Sequence, residues 1–285
     1  SLRPWRNRLS GCGGLASVLF RLGPINIYTF GFTLSLGFLT ATFIAAGEAR
    51  RRGLSDEELV NAALIVMAAG LIAARACYVW FNWEYFAEHT GEIWLLTAGG
   101  LSFHGGLLGG LAAALIFANR RGWSFAELAD CAALGISLGY ALARVGCDGP
   151  GRPTSMPWGM AVNGMLVHPQ AAYAILASYV IFVFLWKLRL QTKFRGQLFV
   201  AWLIAYAFSR FFIEYFRYGR LWGPFTVTQW ASLAMIAGGA YLYHRWEDGP
   251  PPHPRPRTVS FTWQEALRWL AGLVFLIGFY YARGG

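Results

Sequence analysis

Apolar runs of about 20 residues recur along almost the whole chain, and no other feature constrains its fold as strongly. A helix rising about 1.5 Å per residue needs roughly that length to cross a hydrocarbon core of about 30 Å. Backbone donors and acceptors find no water there, so each run must close its own hydrogen bonds as a helix. Spans are predicted at about 25–46, 59–81, 101–119, 126–147, 169–187, 197–217 and 227–244. With 56% hydrophobic and only 13% charged residues, no stretch is polar enough for a separate soluble domain. The expected fold is all-α, a polytopic membrane bundle of about seven helices.

The predicted organisation has four parts. Residues 1–24 form an N-terminal interfacial segment, and residues 25–245 the seven-helix membrane domain. Residues 246–260 are a proline-rich linker, because Gly249-Pro-Pro-Pro-His-Pro-Arg-Pro-Arg257 cannot be helical. Residues 261–285 form a C-terminal apolar helix, read as an eighth span, with an amphipathic helix lying on the membrane as the alternative. Arginine and lysine set the orientation. Linkers after spans one, three, five and seven carry Arg50–Arg52, Arg120 and Arg121, Lys187 to Arg195, and Arg245, Arg255 and Arg257. Loops on the other face carry only Arg152, Arg217 and Arg220. The richer face is read as cytoplasmic, with the N-terminus outside. Arg3, Arg6, Arg8 and Arg21 run against this count, and a short interfacial helix on phospholipid headgroups accommodates them. The net charge of +10 is thus assigned to topology and anionic lipid, not to nucleic acid. No cleavable signal peptide is read in the arginine-rich start, and the four cysteines lack metal-type spacing.

Ionisable residues inside the spans call for a reason. His104, Arg144, Arg210 and Glu214 lie in them or at their ends, with Arg75 a fifth candidate. An arginine at the centre of a span costs about 2.5–3.5 kcal/mol even on a lenient insertion scale. Arg210 and Glu214 are four residues apart and share a helix face, so they can pair. Tyr206 precedes them on that face and Arg217 follows, a polar row expected to face a cavity. Arg144 precedes Gly146, Gly149 and Gly151, and a planar guanidinium beside yielding backbone suits a phosphate. His104 stands in Ser102-Phe-His-Gly-Gly-Leu-Leu108 at the head of a span. Gly105 and Gly106 leave room for backbone or ligand, though Gly-x-x-x-Gly spacing to Gly109 and Gly110 also fits helix packing. By the topology above, the histidine and arginines meet in the outer half of the bilayer, at a site for an anionic lipid headgroup.

With these residues in place, the chain resembles the prolipoprotein diacylglyceryl transferases from about Leu22 to Arg245. Gly23-Pro-Ile-Asn-Ile27, Arg75-x-x-Tyr78, Gly99-Gly-Leu-Ser-Phe-His-Gly-Gly-Leu-Leu-Gly109 and Ala143-Arg-Val-Gly146 carry the likeness. His168-Pro169 with Tyr173, and Tyr206-x-x-x-Arg210-x-x-x-Glu214-x-x-Arg217, complete it in order. The resemblance implies a bacterial inner-membrane enzyme with a cavity open sideways to lipid. It implies transfer of a diacylglyceryl group from phosphatidylglycerol to the lipobox cysteine in a prolipoprotein signal peptide, giving a thioether and glycerol phosphate. His104 is then the candidate base, Arg144 and Arg210 stabilise the leaving phosphate, and Glu214 orients Arg210. Arg75, Tyr78, Gly105, Gly106, Cys147, Tyr206, Arg217 and His168 become substrate-binding residues. The implied chemistry asks for no metal and no cofactor.

Three positions depart from the family's pattern. Phe30 replaces a tyrosine, Cys147 an asparagine, and Ala174 an acid. They keep open a non-catalytic lipid-binding relative, or a transferase with another acceptor. A small transporter is the reading from another class, but the internal repeat it should show is not visible.

Overall fold

The computed structural model describes residues 18–22, 25–94, 100–147, 151–162, 164–217, 219, 221–251 and 263–284. The elements are β1 (Val18–Leu22), β2 (Ile25–Tyr28), α1 (Thr29–Arg51), α2 (Asp56–Phe81) and α3 (Trp83–Glu88). Then come α4 (Phe103–Arg121), α5 (Phe125–Val145), β3 (Met160–Val162), β4 (Met165–Val167), α6 (Gln170–Leu188) and α7 (Gln197–Ile213). β5 (Leu221–Trp222), β6 (Phe225–Thr226), α8 (Val227–Trp246) and α9 (Trp263–Gly284) complete the order. Helices occupy all seven predicted spans, and the chain is an all-α polytopic membrane protein. Five of them, α1, α2, α5, α6 and α7 with its continuation to Phe216, are long and apolar enough to cross a membrane by length and composition alone.

Two boundaries differ from expectation. Residues 25–28 are not the start of a span, since β2 pairs antiparallel with β1 and the helix begins at Thr29. Arg21 therefore lies in a strand, not in an interfacial helix, while Arg3, Arg6 and Arg8 fall outside the described residues. The second difference is at α7, which stops at Ile213 and passes through a 3-10 turn at Glu214–Phe216. Most of the proline-rich linker also lies outside the described residues.

Contacts divide the chain into two compact units, Ala46–Ala129 and the remainder. The smaller is built on α2 against α4. Ser55 caps α2 by accepting from the Glu58 amide (3.2 Å), and Asp56, Glu57 and Glu58 complement the positive end of its dipole. The α2–α4 seam is made of small residues. A side chain at Gly109 would run into Ala73 and the Ala69 carbonyl, and one at Gly105 into Cys77 and the Ala73 carbonyl. Gly106 differs, for an added methyl would meet Ala74 and Gly70 at 3.4 and 3.5 Å, ordinary contact distances. At the end of α1, buried Glu48 accepts from Arg51 Nε (2.8 Å) and Arg52 Nε (2.9 Å), so part of the basic cluster is internally neutralised.

In the larger unit the first half of α1 crosses α5 through glycines. Gly37 lies on the Gly139 carbonyl and Gly135 on the Ala41 carbonyl, so a methyl at either would force the helices apart. Fully buried Asp130 accepts from the amides of Gly196 and Phe199, both at 2.9 Å, which satisfies donors at the start of α7. A reciprocal capping box between Thr226 and Gln229 starts α8.

The seam makes opposite forecasts for two glycines three residues apart. Gly109→Ala should destabilise the detergent-solubilised protein by roughly 1–3 kcal/mol through overpacking. Gly106→Ala should be neutral or raise stability by up to about 1 kcal/mol, the helix-propensity gain. Thermal unfolding of the two variants checks this.

Candidate active site

One end of the larger unit brings together residues of three helices. Arg144 is in the last turn of α5, Arg210 in the last turn of α7, and Ala174 in the first turns of α6. Glu214 is 3% exposed and pairs with Arg210 at 3.0 Å. The four-residue spacing is retained because Glu214 keeps helical dihedrals as the C-cap of α7. Tyr206 joins the row. Its hydroxyl lies in the field of both Arg144 and Arg210, and its ring meets Tyr140 edge-on at 5.6 Å. Arg144 in turn lies over the Tyr140 ring at 5.7 Å. A small recess opens among Tyr140, Tyr206, Arg210, Ser178, Ser209 and Ala174. Two guanidinium groups, one of them paired with Glu214, thus stand at this end, and their planar forks suit a phosphodiester.

Arg217 follows the 3-10 turn and is where the chain leaves the helix, with extended backbone (φ −113°, ψ 151°). Its carbonyl accepts from Arg152 Nε at 3.1 Å, and the Phe216 carbonyl from the Arg152 amide at 2.9 Å. His168 packs against the Phe216 ring at 4.8 Å, and its Nδ1 is 3.0 Å from the Tyr173 hydroxyl. Trp158 Nε1 donates to that same hydroxyl at 2.9 Å. Gly151 fits because its missing side chain leaves room for the His168 carbonyl.

In the smaller unit, Arg75 has an architectural task. It donates from Nε to the Ile93 carbonyl (2.8 Å), from Nη1 to Gly100 (2.9 Å) and from Nη2 to Glu92 (2.6 Å). The Tyr78 ring lies directly beneath Gly100, whose φ of +80° and lack of a side chain both suit that contact. These bonds pin the approach to α4. Nearby, the Tyr85 hydroxyl donates to Glu92 (2.8 Å), and that carboxylate raises the phenol's pKa. Ser102 caps α4 by accepting from the Gly105 amide, while its own amide donates to Ala74 of α2. His104 is therefore exposed on the first turn of a firmly anchored helix, where free amides and the helix dipole favour an anion. Gly105 and Gly106, read as ligand-approach positions, both face α2.

The three departures separate by location. Ala174 lines the recess beside Arg210, where the family's acid would stand. Phe30 and Cys147 sit instead in one apolar cluster with Val145, Ala171, Ile175 and Tyr280. Cys147 is 3% exposed and is not among the residues lining the recess. Tyr140, Ser178, Ser209 and Trp158 belong to these clusters without having been singled out in the sequence. Only Tyr140 had a usable signal, standing four residues before Arg144. Maleimide labelling mapped by mass spectrometry should leave Cys147 unmodified in the folded protein and modify it after denaturation. Labelling in the native state would place the thiol outside the core.

Comparison with known proteins identifies the family. The family model described as prolipoprotein diacylglyceryl transferase matches residues 17–245. The phosphatidylglycerol–prolipoprotein diacylglyceryl transferase of Clostridioides difficile (strain 630) is 37% identical over 233 residues, 79% of this chain and 94% of that protein. The enzyme of the same name from Geobacillus kaustophilus (strain HTA426) is 37% identical over 241 residues, 78% and 89% of the two chains. That from Bacillus cereus (strain G9842) is 34% identical over 239 residues, 78% and 88% of the two. With the histidine–glycine, arginine–glycine and arginine–glutamate motifs all inside the matched region, the chain belongs to the prolipoprotein diacylglyceryl transferase family.

Proposed function

We propose that this protein transfers a diacylglyceryl group from phosphatidylglycerol to the lipobox cysteine thiol of a prolipoprotein. The Arg210–Glu214 pair beside Arg144 and Tyr206, at the ends of membrane helices in a member of this family, carries the reading. The cysteine sulfur attacks the glyceryl carbon that bears the phosphate ester. A C–S bond forms, the C–O bond breaks with its electrons going to the phosphate oxygen, and glycerol phosphate departs. The thiol proton must be removed because the thiolate is the nucleophile, and His104 is assigned as the base. Charge grows on the leaving phosphate, so donors fixed before the reaction lower the barrier without reorganising. Arg144 and Arg210 take this role, Glu214 holds Arg210 in place, and Tyr206 offers a hydroxyl in the same recess.

The remaining assignments follow from the same reading. His168, Arg217 and Cys147 act near the headgroup site as supports, and Arg75, Tyr78, Gly105 and Gly106 fix the entry to the helix that bears His104. The arginine and lysine bias of the loops puts the N-terminus outside and the site towards the outer leaflet of the bacterial inner membrane. The rival is a relative that binds lipid without transferring it, which Ala174 in the recess raises and the named relatives do not favour.

Purified protein with phosphatidylglycerol and a lipobox peptide should give diacylglyceryl-peptide by mass, with equimolar glycerol phosphate. His104→Ala should lower the rate by about 100-fold or more while leaving phosphatidylglycerol bound. Retained lipid binding with no transfer by the unsubstituted protein would instead favour the non-catalytic relative.

A further inference from the structure

Helix α9 lies beyond residue 245, where the matched family region ends, yet it reaches the His168 cluster. Trp269, near its start, packs on Phe182 and Trp186 in the last turns of α6. One turn on, Gly272 lets α9 close onto the Tyr179 hydroxyl, which donates to the Trp269 carbonyl at 2.8 Å. Leu276 and Tyr280 then enter the apolar cluster with Ala171 and Ala172 at the start of α6. Successive contacts thus move backwards along α6, so the two helices run antiparallel side by side. The outer face of α9, with Leu267, Leu270, Val274 and Phe275, is exposed and apolar, as it would be against lipid and not against water.

The last turn makes the functional connection. Tyr281 donates its hydroxyl proton to the Trp158 carbonyl at 2.7 Å. Trp158 Nε1 donates to Tyr173, whose oxygen lies 3.0 Å from His168 Nδ1. An indole can only donate, so the Tyr173 oxygen accepts there and keeps its own proton for the imidazole. His168 rests on Phe216, in the turn that begins with Glu214. We infer that α9 is a brace for the lipid-headgroup site, with Tyr281 a positioning residue that acts through Trp158 and Tyr173 on His168 and the Glu214 turn. This rests on the transferase reading only for its consequence in catalysis; the mechanical link stands on the hydrogen bonds.

The test uses the full chain with Tyr281→Phe, which removes one hydroxyl and keeps the ring. The KM for phosphatidylglycerol should rise about fivefold, the effect of one hydrogen bond, with kcat and the melting midpoint unchanged. Amide hydrogen exchange in residues 151–169 should quicken. Because Tyr281 works through Tyr173, the Tyr173→Phe/Tyr281→Phe double variant should be no worse than Tyr173→Phe alone. A KM at the unsubstituted value, a lowered melting midpoint without a change in KM, or effects that multiply in the double variant would each overturn the brace. If the unsubstituted protein shows no transfer, the transferase reading fails, and exchange decides the brace separately: faster exchange upholds it and unchanged exchange overturns it.

Discussion

Keeping guanidinium groups among membrane helices is the constraint on which the rest of this structure turns. Each such charge is expensive in hydrocarbon and persists only with a partner or near the polar boundary. Here α5 and α7 carry Arg144 and Arg210 in their last turns, and Glu214 meets Arg210 from within the same helical row. Tyr140 and Tyr206 complete the polar surroundings with hydroxyls and ring faces. A buried pair of this kind adds little net stability, because desolvation offsets most of its attraction. Its presence is better explained by a negatively charged substrate group than by a need for glue.

Small residues make that placement possible. The crossing of α1 with α5 through Gly37, Gly135 and Gly139 brings the backbones together, and Gly146 continues it beside Phe30 and Thr33. The Ala-Arg-Val-Gly motif thus holds two functions within four residues, a charge for the site and a contact that fixes the helix carrying it. Phe30 and Cys147 lie in the same apolar cluster, so these two losses of polarity fall in one place and leave matched packing. Ala174 stands apart, lining the recess with Arg210 and Tyr206.

The helices were legible because lipid allows a long apolar run few other structures. Arg210 and Glu214 were legible because a single helical turn joins them. What escaped the sequence depends on contacts between distant residues or on a local change of geometry. Arg75 looked like a substrate ligand, yet it donates to carbonyls at residues 92, 93 and 100, which no helical spacing relates to it. The end of α7 at Ile213 and the 3-10 turn after it, with Arg152 bonded to the carbonyls of Phe216 and Arg217, had no sequence signature either. Gly105 looked like room for a ligand and is filled by α2. Trp158 and Tyr281 are 123 residues apart, so their bond had no sequence signature.

Lipid binding to the Arg144→Gln/Arg210→Gln double variant, followed by native mass spectrometry beside the unsubstituted protein, tests the central claim most directly. A recess built for an anionic headgroup should lose its preference for phosphatidylglycerol over a zwitterionic phospholipid when both guanidinium groups are neutralised. The same preference in both proteins would contradict the account, for it would mean that the arginines hold the bundle together and the headgroup binds elsewhere.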